Sequence, residues 1–406
     1  MNKPGLLNEP KKSILLFVIL FGVMFLFGFI ENIRGVAYPL LKTEFNTSYE
    51  QHGIMISLLG VGYVLFCIIG GILLGRFGVK KALMAGCIFI IAGLVAVFFM
   101  PGFWSVAAAM LIVFAGFGLF EVGSNALASQ VFTSRTALFM SLLHFFYGAG
   151  AAFSPRISGA VSAGLHWRYV YLFSVPLVII FFITAGFTVF PESKGRTSEG
   201  QKIKKAGFSK ALTTPAVWAF AVALGFMVVV ELSTPNWAGL YFQDVYGTDP
   251  KTSGAAFLSN FYILFSVSRL LSGFVIEKAG YFRSLFIASV IVFFIFIAGF
   301  SLGAKGIYVL PALGFFVAIF WPTTMASAMR YFKSDAPVMT SAIIGIAGIL
   351  CGIMQYLTGL IKRLAGPAWG YRSCIVYVLI AVAALAAAFK CVKRPYKNCI
   401  ETENSA

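Results

Sequence analysis

Long apolar runs dominate the chain from about Ser13 to about Phe389, and only short polar stretches interrupt them. Each run is long enough to cross the roughly 30 Å of hydrocarbon in a bilayer as an α-helix. The runs lie at about 13–41, 50–75, 81–101, 103–130, 135–163, 168–190, 215–243, 253–276, 282–302, 305–330, 336–361 and 369–389. The pattern predicts an all-α membrane protein with twelve transmembrane helices and no soluble domain.

Composition supports a membrane environment. Of 406 residues, 60% are hydrophobic and 11% are charged, and the mean hydropathy is +0.91. The apolar content exceeds what a soluble core of this length needs. The net charge of +17 would suggest nucleic acid in a soluble protein, but here the basic residues lie at alternate helix ends. We therefore expect the lipid bilayer as partner and no nucleic acid.

The basic residues indicate the orientation. Of the 31 Lys and Arg, 21 lie in the N-terminus, the even-numbered loops and the C-terminus, and 7 lie in the odd-numbered loops. The other three, Arg34, Arg156 and Arg269, fall inside helices. Because cytoplasmic loops are enriched in Lys and Arg, both termini are predicted to be cytoplasmic. We expect a bacterial inner-membrane location and a monomer.

The chain contains a repeat of about 200 residues. Gly71–Gly78 aligns with Gly273–Gly280 at an offset of 202, and Glu31 aligns with Glu231 at an offset of 200. A polar, basic segment at 191–214 separates an N-terminal six-helix bundle at 1–190 from a C-terminal bundle with a short tail at 215–406. Two parallel repeats predict a substrate site near the membrane midplane, between the halves.

Several motifs resemble those of a known family. The segment Gly71-x-Leu73-x-Gly75-Arg76-x-Gly78-x-Lys80-Lys81 resembles the cytoplasmic signature of the major facilitator superfamily, with Gly75 and Val79 in place of the usual Asp and Arg. Its narrower resemblance is to the fucose/glucose:proton symporter family, through segments 117–125, 259–273 and 320–323. That family has an acid four residues before a proline in helix 1, whereas this chain has Gly35 before Pro39.

The resemblance implies two pseudo-symmetric six-helix bundles, in which helices 1, 4, 7 and 10 line a central cavity. It also implies a secondary transporter that works by alternating access. We expect a small-molecule substrate, no cofactor and a proton or sodium gradient as the driving force. Gly148-Ala-Gly150 lacks the lysine of a P-loop and only three histidines occur, so neither ATP-driven transport, a metal site nor an enzyme is predicted.

Three acids lie inside predicted helices, where an ionised side chain costs about 2.5–3.5 kcal/mol. Glu121 is the first choice for carrying a coupled proton, because burial disfavours the charged form of a carboxyl group and its own helix offers no partner. Glu31 is an alternative that can pair with Arg34, three residues later. His144 either tunes Glu121 or is a packing residue.

A sugar site combines amides, hydroxyls and aromatic rings. The residues that fit this chemistry or share the cavity-lining helices are Glu231, Asn32, Arg34, Asn125, Asn236, Trp237, Asn260, Tyr262, Trp321, Thr323 and Gln355. Each amide or hydroxyl could instead join helices. The two copies of the loop signature predict a cytoplasmic gate formed by Arg76, Lys80, Arg269 and Glu277.

Three functions fit these features. The leading one is a proton-coupled sugar symporter. An exporter of amphipathic compounds is disfavoured, because Gly148-Ala-Gly150-x4-Pro155 only partly matches the exporter pattern in helix 5. An importer of an organic anion or sugar acid would use Arg34 and Arg156 to hold the substrate. A non-transporting receptor is the remaining alternative.

The predicted orientation can be tested with reporter fusions. A reporter joined to the C-terminal tail, or inserted near Lys205, should show activity typical of the cytoplasm, because basic residues favour that side by 21 to 7. A signal from the opposite side of the membrane at either place would reverse the topology.

Overall fold

The computed structural model describes residues 10–132, 136–191 and 210–393 of the chain. These ranges are helical, and no strand occurs within them. Most of the predicted linker at 191–214 and the tail after residue 393 lie outside the described residues.

The described chain forms twelve membrane-crossing helices, as predicted. Ten segments are long and apolar enough to cross a membrane; one of them, Tyr49–Phe99, contains two crossings that meet at Gly78, and Thr136–Gly164 adds one more. We number them α1 Ile14–Phe45, α2 49–77, α3 79–99, α4 Phe103–Val131, α5 Thr136–Gly164, α6 Arg168–Phe187, α7 Pro215–Tyr246, α8 Pro250–Ala279, α9 Tyr281–Ser301, α10 Gly303–Asp335, α11 Ala336–Ala365 and α12 Pro367–Val392.

The repeat is visible in the backbone. Gly78 joins α2 to α3 with φ 81° and ψ 168°, and Gly280 joins α8 to α9 with φ 86° and ψ 144°. Positive φ favours glycine, because a Cβ atom would be strained there. The offset of 202 that relates the two loops in the sequence therefore also relates their turns.

Two helices are interrupted at corresponding places in the repeat. α1 has one irregular turn at Ile33, between its segments Pro10–Asn32 and Arg34–Phe45, although the φ of −53° and ψ of −36° of this residue stay helical. α7 changes to a π-helix at Thr234–Ala238, a segment that contains Pro235. Such irregular turns expose backbone groups and often occur at functional sites. Both interruptions lie next to residues that the sequence assigns to the substrate site.

Glycines bring α1 and α5 into backbone contact. A methyl group on Gly150 would overlap with the backbone oxygen of Phe25, and one on Gly28 would overlap with that of Tyr147. Small residues allow transmembrane helices to approach closely in this way. This contact holds together two helices that carry candidate site residues.

The two halves meet on the membrane side opposite the chain ends, which we call the far side. A Cβ atom on Gly239 of α7 would lie 3.0 Å from the backbone oxygen of Gly35 in α1, and one on Gly53 of α2 would lie 3.4 Å from Gly359 of α11. The hydrogen bonds and ion pairs that join described residues of the two halves lie in the membrane half toward the far side. The structure is therefore closed on the far side.

The α1–α5 contact predicts a specific loss of stability. Gly150→Ala should lower the free energy of unfolding by about 1–3 kcal/mol, because the added methyl group forces the two backbones apart. Gly164→Ala at the end of the same helix is the control, since a Cβ atom there meets nothing within 4 Å. Thermal unfolding of the purified protein in detergent measures both variants. Equal melting temperatures would contradict the described contact.

Candidate functional site

A charged pair lies inside the membrane beside the irregular turn of α1. Nη2 of Arg34 lies 2.9 Å from Oε1 of Glu31, and their side chains are 6% and 11% exposed. The hydroxyl of Tyr147 in α5 donates a hydrogen bond to Oε2 of the same carboxylate at 2.6 Å. Glu31 thus has one partner for each of its oxygens, one on its own helix and one on α5.

Aromatic side chains surround the guanidinium group of Arg34. Its Cζ atom lies 5.5 Å from the ring centroid of Phe114 in α4, a distance suited to a cation–π interaction. Tyr38 in α1 and Tyr262 in α8 also lie close enough to Arg34 to interact electrostatically. Tyr262, from the C-terminal half, therefore lies near a charge that belongs to the N-terminal half.

Glu121 in α4 has a partner on its own helix, contrary to our expectation. Nδ2 of Asn125 donates a hydrogen bond to Oε1 of Glu121 at 2.8 Å. The spacing of four residues brings the two side chains together on one helix face. Asn125 was predicted to contact substrate, and in this conformation its amide contacts the candidate proton carrier instead.

The remaining membrane charges lie near the same space. Arg269 in α8 interacts electrostatically with Glu231 in α7 and with Glu121, although the sequence placed this arginine at a gate. Its guanidinium group also lies 4.7 Å from the ring centroid of Phe265. His144 in α5 is close enough to Arg269 to sense its charge. The structure thus brings the three predicted acids, two of the three membrane arginines (Arg34 and Arg269) and His144 around one interior region.

Two of the predicted substrate residues are bonded to each other. Nε1 of Trp237 in α7 donates a hydrogen bond to Oε1 of Gln355 in α11 at 2.7 Å, and the tryptophan is fully buried. Nε2 of Gln355 lies 3.4 Å from the hydroxyl of Ser233. A Cβ atom on Gly359 would also lie 3.0 Å from the indole ring. In this conformation the indole therefore packs α7 against α11 and offers no free face for stacking.

The other predicted substrate residues differ in their partners and in their exposure. Asn32 donates to the backbone oxygen of Gly28 at 2.9 Å, within α1. Asn260 accepts a hydrogen bond from Arg156 at 3.3 Å, which joins α8 to α5 between the halves. The rest differ in exposure: Asn236 and Thr323 are 3% exposed, Tyr262 is 4% exposed and Trp321 is 36% exposed.

Arg76, Lys80 and Glu277, the other predicted gate residues, do not join the halves in this conformation. Nζ of Lys80 donates to the backbone oxygens of Gly186 and Thr188, at 2.6 and 3.0 Å, which ties the start of α3 to the end of α6. Arg76 and Glu277 are exposed. Because the structure is closed on the far side, the gate near the chain ends stays a prediction for another conformation.

Tyr147 is a site residue that the sequence reasoning did not select. It lies 116 positions from Glu31, and nothing in the spacing relates the two residues. A polar hydroxyl on α5 one turn after His144 was the available signal. It was insufficient, because many buried tyrosines only pack.

Comparisons with known proteins agree with this architecture. The family model of the Major Facilitator Superfamily matches residues 20–354. The probable sulfoacetate transporter of Cupriavidus necator is 24% identical, over 82% of this chain and 84% of that protein. The hexuronate transporter of Bacillus subtilis is 24% identical, over 51% of this chain and 48% of that protein.

A solved structure gives the same result for the fold. The fucose:proton symporter of Escherichia coli, crystallised as a single-residue variant, superposes with a TM-score of 0.64 over 94% of this chain and 98% of that chain, at 18% identity. The family match spans most of the chain, so this protein belongs to the Major Facilitator Superfamily. It is a secondary transporter and not an enzyme.

The Glu31–Arg34 pair can be tested with a double-mutant cycle. Glu31→Gln should destabilise the protein by about 3 kcal/mol, because it leaves the Arg34 charge buried without its carboxylate. The double variant Glu31→Gln/Arg34→Gln should lose much less, so the cycle should give a coupling energy of about 2 kcal/mol in thermal unfolding. Additive losses from the two single substitutions would show that the pair contributes nothing.

Proposed function

We propose that this protein takes up a small polar solute, a sugar or a closely related compound, together with protons. It acts as a monomer in a bacterial inner membrane, with both termini in the cytoplasm. In that orientation, the described conformation is shut to the outside. Uptake then proceeds by alternating exposure of the interior site between the two halves.

The observation that carries this proposal is the group of charges in the interior. Glu31, Glu121 and Glu231 come from α1, α4 and α7, and they are joined there by Arg34 and Arg269. Each such charge costs about 2.5–3.5 kcal/mol in the membrane, so membrane charges usually have a transport role. A group that contains both acids and bases can exchange protons and also bind hydroxyl groups.

A charge count favours a neutral solute. Three ionised carboxylates and two guanidinium groups, with neutral histidine, sum to −1. One proton on Glu121 brings the sum to zero. In that state Arg34 stays paired with Glu31, and Arg269 stays close to the charge of Glu231. Neither arginine therefore needs an anionic substrate as a counter-ion. A proton and a neutral solute can then bind without leaving an uncompensated charge.

A sugar acid is the second candidate. Two relatives are described as a hexuronate transporter and a probable sulfoacetate transporter, and both of those solutes are anions. A substrate carboxylate could take the place of Glu31 beside Arg34, because arginine binds carboxylates in a two-pronged geometry. Glu31 would then need a proton or Tyr147 alone as its partner.

A neutral sugar and a sugar acid as the substrate predict different electrical currents during uptake. Reconstituted protein should be screened by thermal shift against hexoses, deoxyhexoses, hexuronates and small sulfonates. Uptake of the stabilising solute should then be recorded electrically on supported membranes. One proton with a neutral sugar moves one positive charge inward, whereas one proton with a monoanion moves none. Stabilisation only by lipophilic cations would favour an exporter and contradict the proposal.

Glu121→Gln separates binding from coupling. The amide retains the shape of the protonated acid, so counterflow of solute between the two faces of a liposome should persist. Accumulation driven by a pH gradient should disappear, because the amide cannot release a proton. Radiolabelled uptake with and without an imposed gradient measures both activities.

Ser129→Ala is the control on the same helix, since its hydroxyl donates to the backbone oxygen of Ala126, away from Glu121. This variant should retain gradient-driven uptake. Full pH-driven uptake by Glu121→Gln would move coupling to Glu31 or Glu231, or point to another coupling ion.

A further inference from the structure

One carboxylate on the far side lies between two lysines. Oδ2 of Asp244, near the end of α7, lies 2.8 Å from Nζ of Lys362 in α11, and Oδ1 lies 3.7 Å from Nζ of Lys42 in α1. The side chain of Asp244 is 13% exposed, that of Lys362 is 1% exposed and that of Lys42 is 25% exposed. Lys42 belongs to the N-terminal half and the other two to the C-terminal half, so this carboxylate joins the halves.

The two lysines also share an aromatic ring. Their Nζ atoms lie 4.9 and 4.5 Å from the ring centroid of Tyr49, at the start of α2. Both are close enough for cation–π contact. The two ammonium groups also repel each other, and the Asp244 carboxylate lies between them to offset that repulsion. Without its charge, two like charges would face each other across the boundary between the halves.

A second ion pair crosses the same boundary but is more exposed. Arg363 in α11 contacts Glu50 in α2, with side-chain exposures of 54% and 27%. Exposed pairs add little stability because water and salt screen them. Removing one partner of a buried pair has a much larger effect, because the remaining charge stays out of water. Asp244 should therefore determine the strength of the far-side contact more than Glu50 does.

We infer that Asp244, Lys42 and Lys362 form the lock that holds the far side closed. When the far side opens, Lys42 leaves with the N-terminal half, and Asp244 keeps Lys362. Neutralising Asp244 favours opening, because it turns an attraction between the halves into a repulsion. This role concerns the equilibrium between conformations. It is independent of which solute or ion is transported.

The lock can be tested by measuring the width of the far side. In a background with all six cysteines replaced, Leu165→Cys just after the end of α5 and Leu364→Cys in α11 provide spin-label sites that are 48% and 74% exposed. Pulsed dipolar spectroscopy in nanodiscs then gives the distance distribution between the halves. Asp244→Asn should raise the fraction of the longer, far-side-open distance by about tenfold.

Three further variants make the result specific. Glu44→Gln is the control on the same face, because Glu44 pairs with Arg168 within the N-terminal half, and it should leave the distances unchanged. Lys42→Gln should shift them in the same direction as Asp244→Asn, and it decides the question if Asp244→Asn does not fold. Glu50→Gln should shift them less. Unchanged distances in both Asp244→Asn and Lys42→Gln, or an equal shift in Glu44→Gln, would overturn the inference.

Discussion

The structure depends on one constraint: a charge held in the membrane needs a partner, because no water is available to solvate it. Arg34 forms an ion pair with Glu31, and Glu31 also accepts a hydrogen bond from Tyr147. On the far side, the single carboxylate of Asp244 is the partner of two lysines, Lys42 and Lys362. These groups fix which helices must be neighbours. A rearrangement that separates a pair has to supply a replacement, which a proton or a bound solute can provide.

Glycine makes that arrangement of helices possible. Polar pairs of short reach form only where the helix backbones lie close together, and Gly28 and Gly150 allow this between α1 and α5. The hydrogen bond from Tyr147 to Glu31 joins the same two helices. Close packing and charge pairing therefore support each other, since the van der Waals contact holds the donor within reach of the carboxylate.

Much of the architecture follows from the sequence, because the bilayer fixes the length of each apolar run. The loops that contain Gly78 and Gly280, their relation by an offset of 202, and the pairing of Glu31 with Arg34 were predicted from the sequence. Contacts between distant helices were not. A uniformly apolar helix does not show which of its faces meets a given neighbour, so neither the bond from Tyr147 nor the position of Lys42 beside Asp244 could be predicted.

Function was harder to predict than fold for the same reason. Asn125 lies four residues after Glu121, a spacing that was visible in the sequence, yet its amide was assigned to a solute rather than to the acid. Trp237 was selected for its ring, although that ring is enclosed by Gln355 and Gly359. Side-chain chemistry shows what a residue is able to contact. The conformation decides which of those contacts is made.

The pairing of α5 with α8 has a mechanical consequence. Near their middles, Gly148 lies against Ser266, and toward the far side Gly159 lies against the backbone of Lys251. The separation of eleven positions between these glycines corresponds to about 16 Å of helix. If the Gly148 contact acts as a fulcrum, a tilt of about 20° moves the outer contact by about 5 Å, with that helix rise as the lever arm. The opposite ends of the two helices then move in the opposite direction. One hinge point is therefore enough to change the side of the membrane to which the interior opens.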